Sequence, residues 1–250
     1  MIRSPLADCF VLSPNIEPRR GGARPDMIVL HYTGMDSAAA ACAWLCDSRS
    51  KVSCHYLVGE SGEIIQMVGE EMRAWHAGAS SWEGDSDVNS RSIGIEIHNP
   101  GHLLGYQEFS GAQIEALIAL CRDILSRHDV KSRHVLAHSD VAPSRKIDPG
   151  EKFDWRRLHA AGIGNWVMPA PLRDGPILQV GDAGDKIVDL QAKLARYGYG
   201  IDRTGNYDAR TKTVIQAFQR HFRPARIDGI ADPSTIETLD RLIAASGRPA

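Results

Sequence analysis

An imidazole, an ammonium and a carboxylate fall close together in Leu136-Ala137-His138-Ser139-Asp140-Val141-Ala142-Pro143-Ser144-Arg145-Lys146-Ile147-Asp148-Pro149-Gly150. A brief apolar run delivers His138 to the mouth of a loop. The loop returns Asp148 just before a Pro-Gly turn, with Lys146 two places earlier. Imidazole and carboxylate are ligands for zinc, and a nearby ammonium can stabilise an oxyanion. Catalytic zinc ordinarily takes three protein ligands and leaves a fourth position to water, whose pKa it lowers to about 7. A third ligand and a proton-transfer group must then come from elsewhere in the chain. His31 and Glu96 are the candidates. Glu96 would take a proton from the water and pass it to a leaving amine, with Lys146 on the tetrahedral oxyanion, so the implied chemistry is amide hydrolysis.

Each of these residues also has an ordinary reading. A histidine at a strand end is commonly structural, and a glutamate on an open strand face or a loop lysine is commonly just solvated. The chain has 10 histidines, so chance convergence is easy, and spacing alone does not bring His31 to His138. No HExxH helix supports the metal reading.

The elements that must position these groups can be read from periodicity. Met27-Ile28-Val29-Leu30-His31-Tyr32 reads as a strand with His31 near its carboxyl end, where open sheets place functional groups. Residues 92–98 alternate cleanly, with Ile93, Ile95 and Ile97 toward the core and Gly94, Glu96 and His98 opposite. Residues 134–138 form the strand that carries His138. Residues 37–46 read as an Ala-rich helix with Trp44 and Leu45 as packing residues, and residues 55–68 as a hairpin. Ser110 and Gln113 form a capping box ahead of Ile114, Leu117, Ile118, Cys121, Ile124 and Leu125 at helical spacing. Trp155 opens a short helix. The loop from Arg73 to Asn89, with Trp75, His76 and Trp82 among Gly and Ser, reads as a binding rim.

The expected organisation is an irregular arm over residues 1–26, a catalytic domain over 27–162, a Pro/Gly-rich linker over 163–180 and a small helical domain over 181–250. The last contains three amphipathic segments, the third starting at a cap, Asp232-Pro233. Residues 201–211 and 227–235 are weakly alike, which hints at an internal duplication. The fold class is α/β, a mixed central sheet flanked by helices, plus a small three-helix C-terminal domain.

Composition excludes several classes. A net charge of -2 provides no field to hold a polyanion, so nucleic acid is not an expected partner. No run is long and apolar enough for a transmembrane segment, and the first residues lack the apolar core of a signal peptide, which points to the cytoplasm. Leu6-Ala7-Asp8-Cys9 has the order of a lipoprotein box without a hydrophobic stretch before it. The five cysteines, odd in number and without a CxxC pair, read as buried free thiols, Cys42 and Cys46 included.

Four blocks together, His31-Tyr32-Thr33, Trp75-His76-Ala77-Gly78, Ser92-Ile93-Gly94-Ile95-Glu96 and His138 to Gly150, resemble the zinc-dependent N-acetylmuramoyl-L-alanine amidases of the amidase_2 family. The resemblance runs over roughly residues 27 to 160. It implies one Zn2+ per chain on His31, His138 and Asp148, Glu96 as acid/base and Lys146 as oxyanion stabiliser. It further implies substrate contacts from Tyr32, His55, Trp75, His76, Ala77, Asn89 and Arg145. The implied substrate is a muropeptide or peptidoglycan, cut between the lactyl group of N-acetylmuramic acid and L-alanine by a monomer. Where a phage member has a catalytic tyrosine before a histidine, this chain has Cys54 before His55, which leaves Glu96 as the working group.

The tail is similar to the peptidoglycan-binding type 1 domain, through Gly181-Asp182-Ala183-Gly184 and Leu190-Gln191, with its first Asp-Gly element degraded to Asp202-Arg203-Thr204-Gly205. Members with this pairing are usually exported lipoproteins, whereas the missing signal points to recycling of 1,6-anhydro-muropeptides inside the cell. An exported, periplasmic or lipid-anchored wall hydrolase of the same chemistry is the alternative. A non-catalytic peptidoglycan recognition protein is the other, and the full ligand set argues against it.

Overall fold

The computed structural model describes residues 2–246. Its first half contains strands β1 (Cys9–Phe10), β2 (Ile16–Pro18) and β3 (Met27–Tyr32), helix α1 (Ala38–Leu45), and strands β4 (Tyr56–Val58), β5 (Ile64–Gln66) and β6 (Met72–Ala74). There follow helix α2 (Val88–Arg91), strand β7 (Ser92–Ile97), helix α3 (Gly111–Arg127), strand β8 (Val135–Ala137) and helices α4 (His138–Val141) and α5 (Trp155–Ala160). Helices α6 (Asp185–Tyr197), α7 (Ala209–Phe222) and α8 (Pro233–Ala245) complete the chain.

The main sheet has the order β1-β5-β4-β7-β3-β8. Strand β3 runs parallel to β7 and β8, and β4 parallel to β7, while β5 returns antiparallel to β4. The register sets His31 opposite Glu96, and Val29 opposite both Gly94 and Leu136. One face of the sheet presents Ile28, Leu30, Ile93, Ile95 and Ile97 to Ile114, Leu117, Cys121 and Ile124 of α3. That helix begins with the expected reciprocal cap between Ser110 and Gln113. The opposite face is covered in two parts. Helix α1 packs Ala41, Cys42 and Leu45 into one cluster with Leu57 and Met67. The C-terminal helices join Met27, Val29 and Leu136 in another, through Leu190, Leu194, Tyr197, Phe218 and Phe222. His31, Glu96 and His138 line a cavity beside α1.

The tail is a duplicated unit. Gln191 receives a hydrogen bond from Gly205 N–H and donates to Asn206 O and Thr211 Oγ1. Gln219 repeats the pattern with Gly229, Ile230 and Thr235. Asp208 and Asp232 cap the helices that follow, each accepting from the threonine three residues on. Residues 163–180 contain no helix, but Ala170 is fixed to α8 through Thr238 and Ser234.

Three expectations are corrected. Within the expected irregular arm two segments are strands: β1 adds to the sheet edge beside β5, and β2 pairs with β6. Strands of two and three residues have no period to detect, and they form because an existing edge supplies hydrogen-bond partners. Trp82 is not on a rim. It is fully buried against Tyr197 and Tyr199, with ring centroids at 5.8 and 5.2 Å. Gly198 makes room for it, since a Cβ there would lie 2.5 Å from the indole. Trp44, expected in the core, is about half exposed on the wall of the main cavity.

Candidate metal centre and active site

Three parallel strands deliver the reactive groups to one end of the sheet. His31 is the fifth residue of β3, Glu96 pairs with it on β7, and His138 follows β8 as the first residue of α4. The loop after α4 returns Asp148, whose carbonyl accepts from Ser139 N–H at 3.0 Å and so ties the loop back to that helix.

His31 Nδ1 and His138 Nδ1 lie 2.8 Å apart, and Asp148 Oδ2 is 3.2 Å from the first and 3.0 Å from the second. All three residues are buried. The outward nitrogens are spoken for: His138 Nε2 donates to Ala77 O at 3.2 Å, and His31 Nε2 lies 3.0 Å from His76 Nδ1. His76 Nε2 is in turn 3.1 Å from Ser92 Oγ, which donates to Val88 O at 2.6 Å. Because the Ser92 proton is committed to a carbonyl, its oxygen accepts from His76 Nε2–H. His76 Nδ1 is then bare and accepts from His31 Nε2–H. Burial, with His138 alongside, pushes the His31 pKa down to about 4, and burial holds His76 neutral as well.

With their Nε2 atoms bonded outward, both rings turn Nδ1 toward the same point, beside a carboxylate. Burial alone would raise the Asp148 pKa, but His138 and His31 hold it below the usual carboxylate range. Three such donor atoms facing one point suit a shared cation. Tetrahedral coordination at about 2.0–2.1 Å separates ligand atoms by about 3.3 Å, close to the triangle observed. His31, His138 and Asp148 thus form a possible metal site, and the outer hydrogen bonds fix the tautomers that metal binding requires.

Glu96 shares the sheet face with His31, and its Oε2 is buried without a hydrogen-bond partner. Burial, then the Asp148 charge, push its pKa well above the ordinary carboxylate value, while Lys146 opposes the rise. Lys146 lines the same cavity. Burial and then Glu96 raise the Cys54 pKa well above the usual thiol range, so it stays a neutral thiol.

The cavity over this centre measures about 550 Å³, a size suited to a small organic ligand. Of the side chains expected at the substrate, Tyr32, Trp75, His76 and Arg145 line it. The Trp75 indole N–H is buried without a partner. His55, Ala77 and Asn89 lie behind the wall instead. Asn89 Oδ1 accepts from the N–H groups of His76 and Ala77, and Arg145 donates to the carbonyls of Ala77 and Ala79. Asn89 and Arg145 therefore hold the loop that supplies both outer partners of the histidine pair. His55 accepts from Gly94 N–H and donates to Met72 O, with burial and then Arg19 lowering its pKa to about 3. Sequence reading missed Trp44, His102 and Leu103 on the cavity wall. It also missed the buried Arg19, whose guanidinium binds the carbonyls of Glu70, Ser90 and Ser92. None of these four lies in a recognisable motif.

Residues 21–151 match the family described as N-acetylmuramoyl-L-alanine amidase, and residues 183–239 match a putative peptidoglycan binding domain. The N-acetylmuramoyl-L-alanine amidase AmiD of Escherichia coli is 40% identical over 90% of this chain and 84% of its own length. Its structure in complex with anhydro-N-acetylmuramic acid-L-Ala-D-gamma-Glu-L-Lys superposes with a TM-score of 0.75 at 36% identity, covering 93% of this chain and 94% of the other. The 1,6-anhydro-N-acetylmuramyl-L-alanine amidase AmpD of Citrobacter freundii is 31% identical over 60% of this chain and 87% of its own. AmpDh3 of Pseudomonas aeruginosa, in complex with anhydromuramic pentapeptide, superposes with a TM-score of 0.74 at 32% identity, over 94% of this chain and 96% of its own.

Proposed function

Given that the chain belongs to the N-acetylmuramoyl-L-alanine amidase family and is an amide hydrolase, we propose that it cuts 1,6-anhydro-muropeptides between the lactyl carbonyl of muramic acid and L-alanine. One zinc ion per monomeric chain would be held by His31 Nδ1, His138 Nδ1 and Asp148 Oδ2. The observation that carries this reading is the triangle of three buried donors beside the unpartnered Oε2 of Glu96. When bound, zinc supplies Lewis acidity toward water and the scissile carbonyl. Glu96 Oε2 takes the proton of the attacking water and delivers it to the alanine nitrogen as the C–N bond breaks. Lys146 offsets the charge that develops on the carbonyl oxygen. Tyr32, Trp44, Trp75 and His102 form an aromatic wall for the sugar and lactyl group. The products are the free lactyl carboxylate and a peptide with a free α-amine. The ligands bound in the relatives' structures, and the name of the Citrobacter freundii relative, support the anhydro sugar as substrate.

The assay is release of L-alanine-headed peptide from anhydro-muropeptide, with and without a chelator. Loss on chelation and recovery with zinc are expected; turnover indifferent to metal removal refutes the reading.

The recycling role in the cytoplasm is proposed with it. Among the described residues no helix is long and apolar enough to cross a membrane. The peptidoglycan-binding match favours a second reading, a periplasmic or lipid-anchored hydrolase acting on the polymer itself. Comparing rates on soluble anhydro-muropeptide and insoluble wall, together with cell fractionation, separates the two. We also propose the division into a catalytic domain over 27–162 and a helical module over 181–250.

A further inference from the structure

The helix that begins with His138 is only four residues long, and a buried carboxylate within it, Asp140, bonds the amide that precedes it. Asp140 is 0% exposed. Its Oδ2 accepts from the N–H of Ala137, the residue just before His138, at 2.8 Å. The same oxygen accepts from His221 Nδ1–H at 2.7 Å, and Oδ1 accepts from the Tyr199 hydroxyl at 2.7 Å. Two of the three donors thus come from the C-terminal module, from α7 and from the segment after α6. Tyr199 and His221 are both 2% exposed, and the His221 ring stacks on Trp155 of α5 with centroids 3.7 Å apart.

A buried carboxylate keeps its place only while its oxygens are satisfied, and charge-assisted bonds of this length are the strong ones. Without Tyr199 and His221, Asp140 retains the single amide of Ala137 and must turn toward water or another donor. That rotation releases the amine end of α4, from which His138 projects toward Asp148. Hydrophobic contact alone would dock the tail without specifying this geometry.

We propose that Tyr199 and His221, acting through Asp140, are positioning residues of the metal centre, so that the C-terminal module completes the site instead of only attaching to it. This rests on the metal reading of His31, His138 and Asp148 given above. The test uses the full chain and measures zinc affinity by chelator competition, together with the visible absorption of the cobalt(II)-substituted protein.

Tyr199→Phe, which removes one oxygen atom, and His221→Leu are each expected to weaken zinc binding about tenfold, the usual scale for an outer partner of a ligand, and to change the cobalt bands. His221→Asn, whose side-chain amide replaces the Nδ1–H donor, is expected to restore affinity to within about threefold. Leu190→Ala, a cavity in the tail away from Asp140, is expected to lower the melting temperature while leaving zinc affinity within about twofold. Unchanged affinity and unchanged cobalt spectra in Tyr199→Phe and His221→Leu overturn the proposal, as does equal weakening by Leu190→Ala. If His221→Leu does not fold, Tyr199→Phe decides alone. A wild-type protein that takes up no zinc defeats the metal reading itself, which is a separate result.

Discussion

Replacing Gly94 with alanine places one methyl group against His76, the outer partner of the proposed metal site. Gly94 lies on β7, opposite Val29 of β3, in a strand conformation open to any residue. A Cβ there would lie 2.5 Å from Cγ of His76 and 2.7 Å from its Cδ2 and Nδ1, against ordinary contacts of about 3.5–4.0 Å. The imidazole must retreat by about 1 Å to restore contact distance. It is held at 3.0 Å from His31 Nε2 and 3.1 Å from Ser92 Oγ, so such a retreat takes at least one of these past hydrogen-bonding range. Loss of an outer partner lowers metal affinity about 10- to 100-fold, or about 1.4–2.7 kcal/mol, and overpacking adds about 1–3 kcal/mol of lost stability. Chelator competition on the folded variant reads the first quantity, and thermal unfolding of the metal-free protein reads the second. A His76→Ala background removes the clash, so Gly94→Ala should add little there. Zinc affinity within about twofold of wild type in Gly94→Ala, or equal weakening in both backgrounds, refutes the reasoning.

Glu96→Gln should keep zinc and lose about 10²- to 10⁴-fold in turnover, whereas His138→Ala should lose both; equal zinc loss in the two, measured by metal content, would make Glu96 a ligand. Deleting residues 163–250 uncovers Met27, Val29, Trp82, Leu136 and Val141, so soluble expression should collapse, and a soluble, active fragment would contradict the shared core. Glu70 is 0% exposed and bonded to Tyr56, Arg127 and His128; burial opposes its charge, but His128 and Arg127 lower its pKa from 4.5 to about 2. A lowered folded-state value stabilises the fold above about pH 4.5 and is lost as pH falls toward 2, a change of about 3 kcal/mol. Urea midpoints across that window should fall more steeply in wild type than in Glu70→Gln, and parallel slopes would count against it.

Much of this was legible in the sequence because local physics wrote it there. The alternation of residues 92–97 and the Ser110 cap depend on near neighbours, and β7 and α3 formed as read. The convergence of His31, His138 and Asp148 was legible only as a pattern of blocks, since nothing in their spacing fixes a distance. The fate of the tail could not be read: amphipathic helices announce that a face will be buried, not against what. One clue was present in Met27-Ile28-Val29-Leu30. Four consecutive apolar residues describe a strand covered on both faces, and α3 covers only one. Asn89 and Arg145, expected at the substrate, both bond the 76–79 loop, and only Arg145 also lines the cavity, a distinction that residue type cannot make.

The burial of Trp82 beneath Tyr197 and Tyr199 also fixes how the helical module sits on the sheet. A cutter tethered to its anchor by a loose string samples every bond within the string's reach. Here the helical module and the sheet share one core, so any ligand held by the module would meet the cavity at a single fixed offset. The offset between module and cavity is set by the packing of aromatic rings.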